Sequence, residues 1–409
     1  MPPPKDYFIC RCNHCTSITT TGKVKYIRLF EKFFFLWQNQ QQKEVKYVER
    51  IAIIGGGIIG MTLANYLDLN KFDVTLFDEG IGQATSASAG IISPWLSKRR
   101  NQKWYQLAKD GAAFFPKLRQ DYQLDQTIYQ QAGTLIIRPE KQLEELLALA
   151  AERKKDAPEI GTIEKLLPEQ TKAALPLLKP VPAIKISGGG RLDGKAYLKR
   201  LKQTAEAKGV NFIAKRVTLS DSQTILLDNQ SIAFDQIIIT AGPHLKELLA
   251  PLGYQVDLRP QKGQLLVFQT MIADSGTFPV AMLDGEADLI PFMDGKILLG
   301  ATHENEAGWD LAATQEAFQQ LTSSAHKFLA DPQQIFSAPM QYRVGTRAYT
   351  SDFAPFFGRL SPELLVASGL GSSGLTTGPY IGYLLAQQLN TGNENGTIYQ
   401  KSLQHYISH

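Results

Sequence analysis

The chain has 409 residues, 44% apolar and 10% aromatic, which is ordinary globular composition that excludes a disordered or fibrous chain and, at about 150 residues per domain, allows two to three domains. No apolar run reaches the roughly 18 residues of a membrane-spanning helix, which leaves peripheral association open. Residues 1–50 hold nine Lys/Arg against four acids, so the net charge of +4 sits at the start and the remaining chain is close to neutral, which argues against nucleic acid as a partner.

The first 46 residues are set apart. Cys10, Cys12 and Cys15 are the three cysteines of the chain, so the body needs no disulfide, fits a reducing cytoplasm and has no thiol catalysis. With His14 they are metal-ligand types, but they crowd into six residues where a closed zinc site wants two separated pairs, and no metal is expected. Residues 29–37 (LFEKFFFLW) are too short to span a membrane and lack a cleavage site. They read as a surface-lying or partner-binding helix, or as an irregular extension. Residues 1–46 are expected to be a disordered extension from an upstream start codon, dispensable for the main chemistry.

Next comes a strand, a glycine-rich turn and a helix: IAII (51–54), Gly55-Gly56-Gly57-Ile58-Ile59-Gly60, then MTLANYL. Gly55 permits the tight turn, Gly57 lets backbone approach a pyrophosphate, and Gly60 lets helix and strand pack closely, while the helix N-terminus offers free N–H groups to phosphate. A second strand, Asp73–Phe77, ends at Asp78, where an acid binds a ribose 2′-OH, and no Arg follows to hold a 2′-phosphate. The loop QATSASAGIISP (83–94) suits either a close pass over pyrophosphate or flavin, or a flexible Ser-rich linker.

GGGIIG followed by ATSASAGIISP resembles the start of the D-amino-acid oxidase and glycine oxidase family of FAD-dependent amine oxidoreductases. Further motifs follow in that family's order: FDQIIITAGPH (234–244), RPQKGQ (259–264), LIPFMDGKILLGATHE (289–304), GTRAYTSDFAPFFGR (345–359) and VASGLGSSGLTTGP (366–379). The resemblance covers about residues 48–395. It implies FAD as cofactor, held by Gly55, Gly57, Ile58, Ile59, Gly60, Asp78 and Glu79 at the fingerprint. Thr85, Ser86, Ser88, Ala89, Gly90 and Ile91 would contact it from the following loop, and Val217, Ala241 and Gly242 on the adenosine side. Gly371, Ser372, Ser373, Gly374, Leu375 and Thr376 would lie beside the flavin pyrimidine ring, ahead of an apolar helix Tyr380–Leu389.

The rest of the body alternates, with a helical stretch at 140–155, a strand–helix pair at Ala183–Lys208 and strand-rich runs at 256–270 and 288–300. This argues α/β architecture with more than one sheet. The resemblance implies a Rossmann-like FAD-binding domain from residues 47–100, 184–255 and 336–409. A discontinuous second domain on a large mixed or antiparallel sheet would come from 101–183 and 256–335. Pro180, Pro182 and Gly188-Gly189-Gly190 are candidate crossings.

For the substrate, Arg347 matches the family's carboxylate-binding Arg, and a guanidinium grips a carboxylate bidentately. A structural pairing with Asp352 is the alternative, and Arg343, on the same strand face, is a confounder. Asp288 stands where glycine oxidases carry a Tyr near the substrate, and Leu370 and Ser372 stand where His and Arg occur. These departures favour a larger or amine-bearing substrate unless Asp288 points to solvent. His303 and Glu304 are candidate acid–base groups or surface-loop residues.

The expected activity is oxidation of the C–N bond of an amino acid or secondary amine. Hydride goes to flavin N5, the imine is hydrolysed, and oxygen or another acceptor reoxidises the flavin. The expected partners are a small amine or amino acid and an acceptor, with a homo-oligomer possible, in the cytoplasm. Alternatives are an FAD domain acting on a carboxymethyl-amine tRNA base and a flavin-binding subunit of a larger assembly. A nicotinamide dehydrogenase would not need the later Gly/Ser motifs.

Overall fold

The computed structural model describes residues 47–98 and 101–409, and Val48–His409 forms one compact unit. Cys10, Cys12, His14, Cys15 and the apolar cluster 29–37 lie outside the described residues. No helix among the described residues is long and apolar enough to cross a membrane.

The four-residue run Ile51–Ile54 is at most 5% exposed because it is the centre of a sheet covered on both faces. Its strand, Glu49–Ile54, pairs in parallel with Phe72–Phe77 on one side and Gln236–Ile239 on the other. Asn211–Ile213 extends the first side, and Leu364–Ser368 then antiparallel Phe356–Ser361 extend the second, giving six strands. Ile51 and Ile53 face the helix layer with Ile59 and Leu63, whereas Ala52 and Ile54 point to the other face of the sheet, side by side with Ile237, Ile239 and Val366 of the neighbouring strands.

Helix Ile58–Tyr66 carries apolar residues almost all round and is buried from Ile58 to Asn65. It lies between the sheet and helix Gly374–Thr391, and small residues set their spacing: a Cβ on Gly378 would come 2.4 Å from Ile58, and one on Gly382 would come 2.7 Å from the Ile59 carbonyl. Helix Gly374–Thr391 begins six residues before the expected Tyr380, with Pro379 inside it. Glycine and proline at 374–379 look like breakers, yet one lost N–H bond in the second turn is offset by burial of that whole face.

The second sheet has eight strands in the order Met340–Tyr349, Arg259–Gln269, Lys296–Gly300, Asp288–Pro291, Val280–Met282, Thr134–Ile136, Ala183–Ile186 and Ile163–Leu166. One pair, Val280–Met282 with Thr134–Ile136, is parallel and the others are antiparallel, so the sheet is mixed. The run 288–300 is a hairpin, turned at Asp294 and Gly295, both at positive φ.

The chain visits the two sheets alternately. The expected limit at 184 falls inside the Ala183–Ile186 strand of the large sheet, and the one at 336 precedes Met340–Tyr349 of that same sheet. Gly188-Gly189-Gly190 then leads into the small sheet that pairs Gly190–Leu192 with Ile91–Ile92 and Tyr129–Gln130. Here a Cβ on Gly188 would meet the Glu159 carbonyl at 1.9 Å, so the passage admits backbone alone. Helix Gly194–Lys208 follows, capped by the Asp193 carboxylate on the Lys195 and Ala196 amides and ended by Gly209 at φ +106°.

Candidate active site

A cavity of about 900 Å³ opens at the carboxyl ends of the parallel strands, where open α/β sheets bind their ligands. The glycine turn forms its floor. Gly55, at φ +106°, lies so close to Ala241 that a Cβ would sit 2.6 Å away. Gly60 abuts the Gly55 carbonyl, where a Cβ would come within 2.0 Å, and does not line the cavity. Gly57 differs from both: a Cβ there would have Thr85 Oγ1 at 3.7 Å as its nearest neighbour, so the glycine leaves open space above the helix end.

Two helix N-termini face this space. The N-cap residues Gly57 and Ser373 make no side-chain cap bond, and the Ile58 amide is taken by Thr85 Oγ1 at 3.1 Å. Free first-turn N–H groups favour anionic or carbonyl oxygen at both places. Ile58, Ile59, Ala241, Gly242, Val217 and the segment Gly371–Thr376 all line the cavity.

The acid end is more crowded than the fingerprint suggests. Asp78 accepts from the Gly56 amide, from the Gly80 amide at 2.5 Å and from Gln83 Nε2 at 3.1 Å, tying the glycine turn to the next loop. Glu79 pairs with Arg216 at 2.7 Å. Arg216 stands 137 residues away in the chain, so a search for a cation just after Asp78 does not find it.

The loop after Asp78 is pinned rather than linker-like: Gln83 bridges to Thr346, and the Ser88 hydroxyl donates to the Thr85 carbonyl at 2.7 Å. Thr85, Ser88, Ala89, Gly90 and Ile91 line the cavity. Ser86 does not line it; its hydroxyl donates to Gln83 Oε1 at 3.0 Å.

At the other end the two arginines of one strand face part company. Arg343 donates to Asp193 at 3.2 and 3.3 Å, and Lys296 joins the same carboxylate at 2.7 Å. Arg347 donates to neutral acceptors, Gln261 Oε1 at 3.0 Å and the Thr302 carbonyl at 2.9 Å, and no ion pair joins it to a carboxylate among the described residues. Its guanidinium lies against Gly263, where a Cβ would come 2.6 Å from Cζ. Burial lowers its pKa from the ordinary value, opposed by Tyr349, Glu286 and Glu304. Asp352, the alternative partner, is bound by Lys401 at 2.7 Å instead.

Asp288 stands in the cavity wall and its Oδ1 accepts the Leu283 amide at 3.0 Å. Burial pushes its pKa up to about 7, against the Arg138 guanidinium and that amide, which favour the carboxylate. His303 sits exposed on the rim, 3.3 Å from Glu286. Glu304 does not line the cavity; it accepts from Gln264 at 2.9 Å. Leu370 and Ser372 both line it.

The family model described as FAD dependent oxidoreductase (DAO) matches residues 50–388. The oxidoreductase YurR of Bacillus subtilis is 37% identical over 348 residues, 82% of this chain and 93% of that protein. Glycine oxidase of Pseudomonas aeruginosa is 28% identical over 363 residues, covering 85% and 96%. Among solved structures, iminodiacetate oxidase (IdaA) from Chelativorans sp. BNC1 superposes with a TM-score of 0.80 at 30% identity, over 87% of this chain and 98% of that one.

Proposed function

This chain belongs to the DAO family of FAD-dependent oxidoreductases, and we propose that it oxidises the C–N bond of a carboxylate-bearing amino acid or secondary amine to an imine, which water then splits. The open space at Gly57 and the two helix ends whose N-cap residues make no side-chain cap bond fit FAD, with Glu79, Val217 and Gly242 toward its adenosine and Gly371–Thr376 toward its flavin. When bound, FAD supplies the two-electron acceptor for the hydride that leaves the substrate carbon.

The observation that carries this reading is the state of Arg347. A guanidinium held only by neutral acceptors keeps its full charge, so the cavity wall attracts an anion, and a carboxylate matches its planar fork. Asp288 complements it. Its carboxyl, poised to change charge near neutral pH, pairs with the substrate ammonium and accepts the proton that must leave nitrogen before hydride loss. His303, on the rim, would act on what enters rather than on the reacting bond.

The test is anaerobic mixing of the holoprotein with iminodiacetate, glycine, sarcosine and proline while flavin absorbance is followed. Bleaching by at least one carboxylated amine is expected, and readmitted air then distinguishes oxygen from another acceptor. In Arg347→Ala, kcat/KM should fall by about 100-fold, the loss of a charged hydrogen-bonded contact. Bleaching that survives unchanged in that variant would remove Arg347 from the substrate site.

A further inference from the structure

The loop from Ala301 to Thr314 is anchored on both sides of Trp309. Lys262, 1% exposed on the Arg259–Gln269 strand, sets its ammonium 2.7 Å from Asp310 and 3.8 Å from Glu304. The Thr346 hydroxyl donates to the Gly308 carbonyl at 3.0 Å, and Gly308 lies so near Pro260 that a Cβ would come within 2.7 Å. A buried ammonium that loses its carboxylate is strongly destabilised, so residues 308 and 310 are held to the large sheet.

Between these anchors Trp309 reaches the other half of the molecule. Its ring lies 4.3 Å from the ring of His244, tilted by 30°. His244 follows the Gln236–Ile239 strand of the nucleotide sheet and is fixed there by Glu247 at 2.9 Å and Arg216 at 3.3 Å, with Arg216 on Glu79. Both rings line the cavity at the end where Glu79 and Val217 stand, the end that the fingerprint assigns to adenosine. Trp309 is nonetheless 45% exposed. A large ring that fills no core and is rigidly presented at both neighbours has one described ring partner, across the seam.

We infer that the Trp309–His244 contact is a clasp that retains the dinucleotide: it ties the loop of the large sheet to the nucleotide sheet over the adenosine end, and FAD leaves only when the rings part. The clasp acts on the cofactor alone and holds whatever the substrate is. FAD release is measured on the holoprotein by the rise of free-flavin fluorescence after dilution into excess apoprotein-free buffer. Trp309→Ala should release FAD about three- to tenfold faster, the range set by one aromatic pair, with Trp309→Phe close to the parent. Asp310→Asn, which frees the loop without touching either ring, should shift release in the same direction. A wild-type release rate in Trp309→Ala overturns the clasp, and equal acceleration in Trp309→Phe and Trp309→Ala overturns the ring contact as its cause.

Discussion

Arg343 and Arg347 have the same chemistry and share one face of one strand, and their surroundings divide their roles. Arg343 is held by a carboxylate that is 3% exposed, whereas Arg347 lines the cavity with neutral hydrogen-bond acceptors and no ion pair among the described residues. Asp288 shows the complementary case, a carboxyl whose enclosure opposes ionisation, so its charge depends on pH where most carboxylates are already ionised. Below about 7 it is neutral and cannot take the amine proton; above that it is a carboxylate and can. The expected outcome is a kcat/KM that rises with pH through an apparent pKa near 7, and an Asp288→Asn variant in which that limb is lost while FAD binding persists. An unchanged limb in the variant would assign the titration to the substrate amine.

The elements show what a linear reading reaches and where it stops. Asp193 caps helix Gly194–Lys208 beside the nucleotide sheet and also binds Lys296 and Arg343 of the large sheet, so one carboxylate joins a helix end to two strands. Burial alone would raise its pKa, but Arg343 and Lys296 outweigh that and hold it at about 2. Its folded pKa is therefore below the unfolded value of about 3.9, so its stabilisation is complete above that value and is lost as pH falls toward 2. Asp193→Asn, which keeps a cap but removes the charge, should cost about 3–5 kcal/mol near neutral pH, with a shallower fall in melting temperature between about pH 4 and 2. A parallel acid fall in both proteins would place the sensitivity elsewhere. The strand–turn–helix at 51–66 was legible because its apolar run and three glycines are contiguous, and the segment that carries Arg347 into the cavity wall because its motif is local. The Arg343–Asp193 pair, 150 residues apart, and the enclosure of Asp288 by Leu283 and Arg138 arise only when strands from distant segments are laid side by side. The start of helix Gly374–Thr391 was missed for another reason: its glycines serve helix–helix contact rather than a turn.

On the scale of the whole molecule the cavity is a seam. Its walls come from the glycine turn near residue 55, the ends of three parallel strands, the hairpin 288–300 and the last long helix, so no contiguous stretch of chain forms it by itself. All of these walls lie within Val48–His409, which forms one unit with both sheets inside it. The proposal that residues 1–46 are dispensable for the main chemistry predicts that a chain lacking them folds, purifies yellow and melts within about 2 °C of the full chain when each is saturated with FAD. On the proposed site FAD binds only the assembled seam, so stripping it should lower the melting temperature of both lengths by the same amount, as linkage between binding and folding requires. Differential scanning calorimetry on the four samples checks this. A shortened chain that loses flavin, or whose melting temperature no longer responds to it, would show that the first 46 residues take part in the site after all.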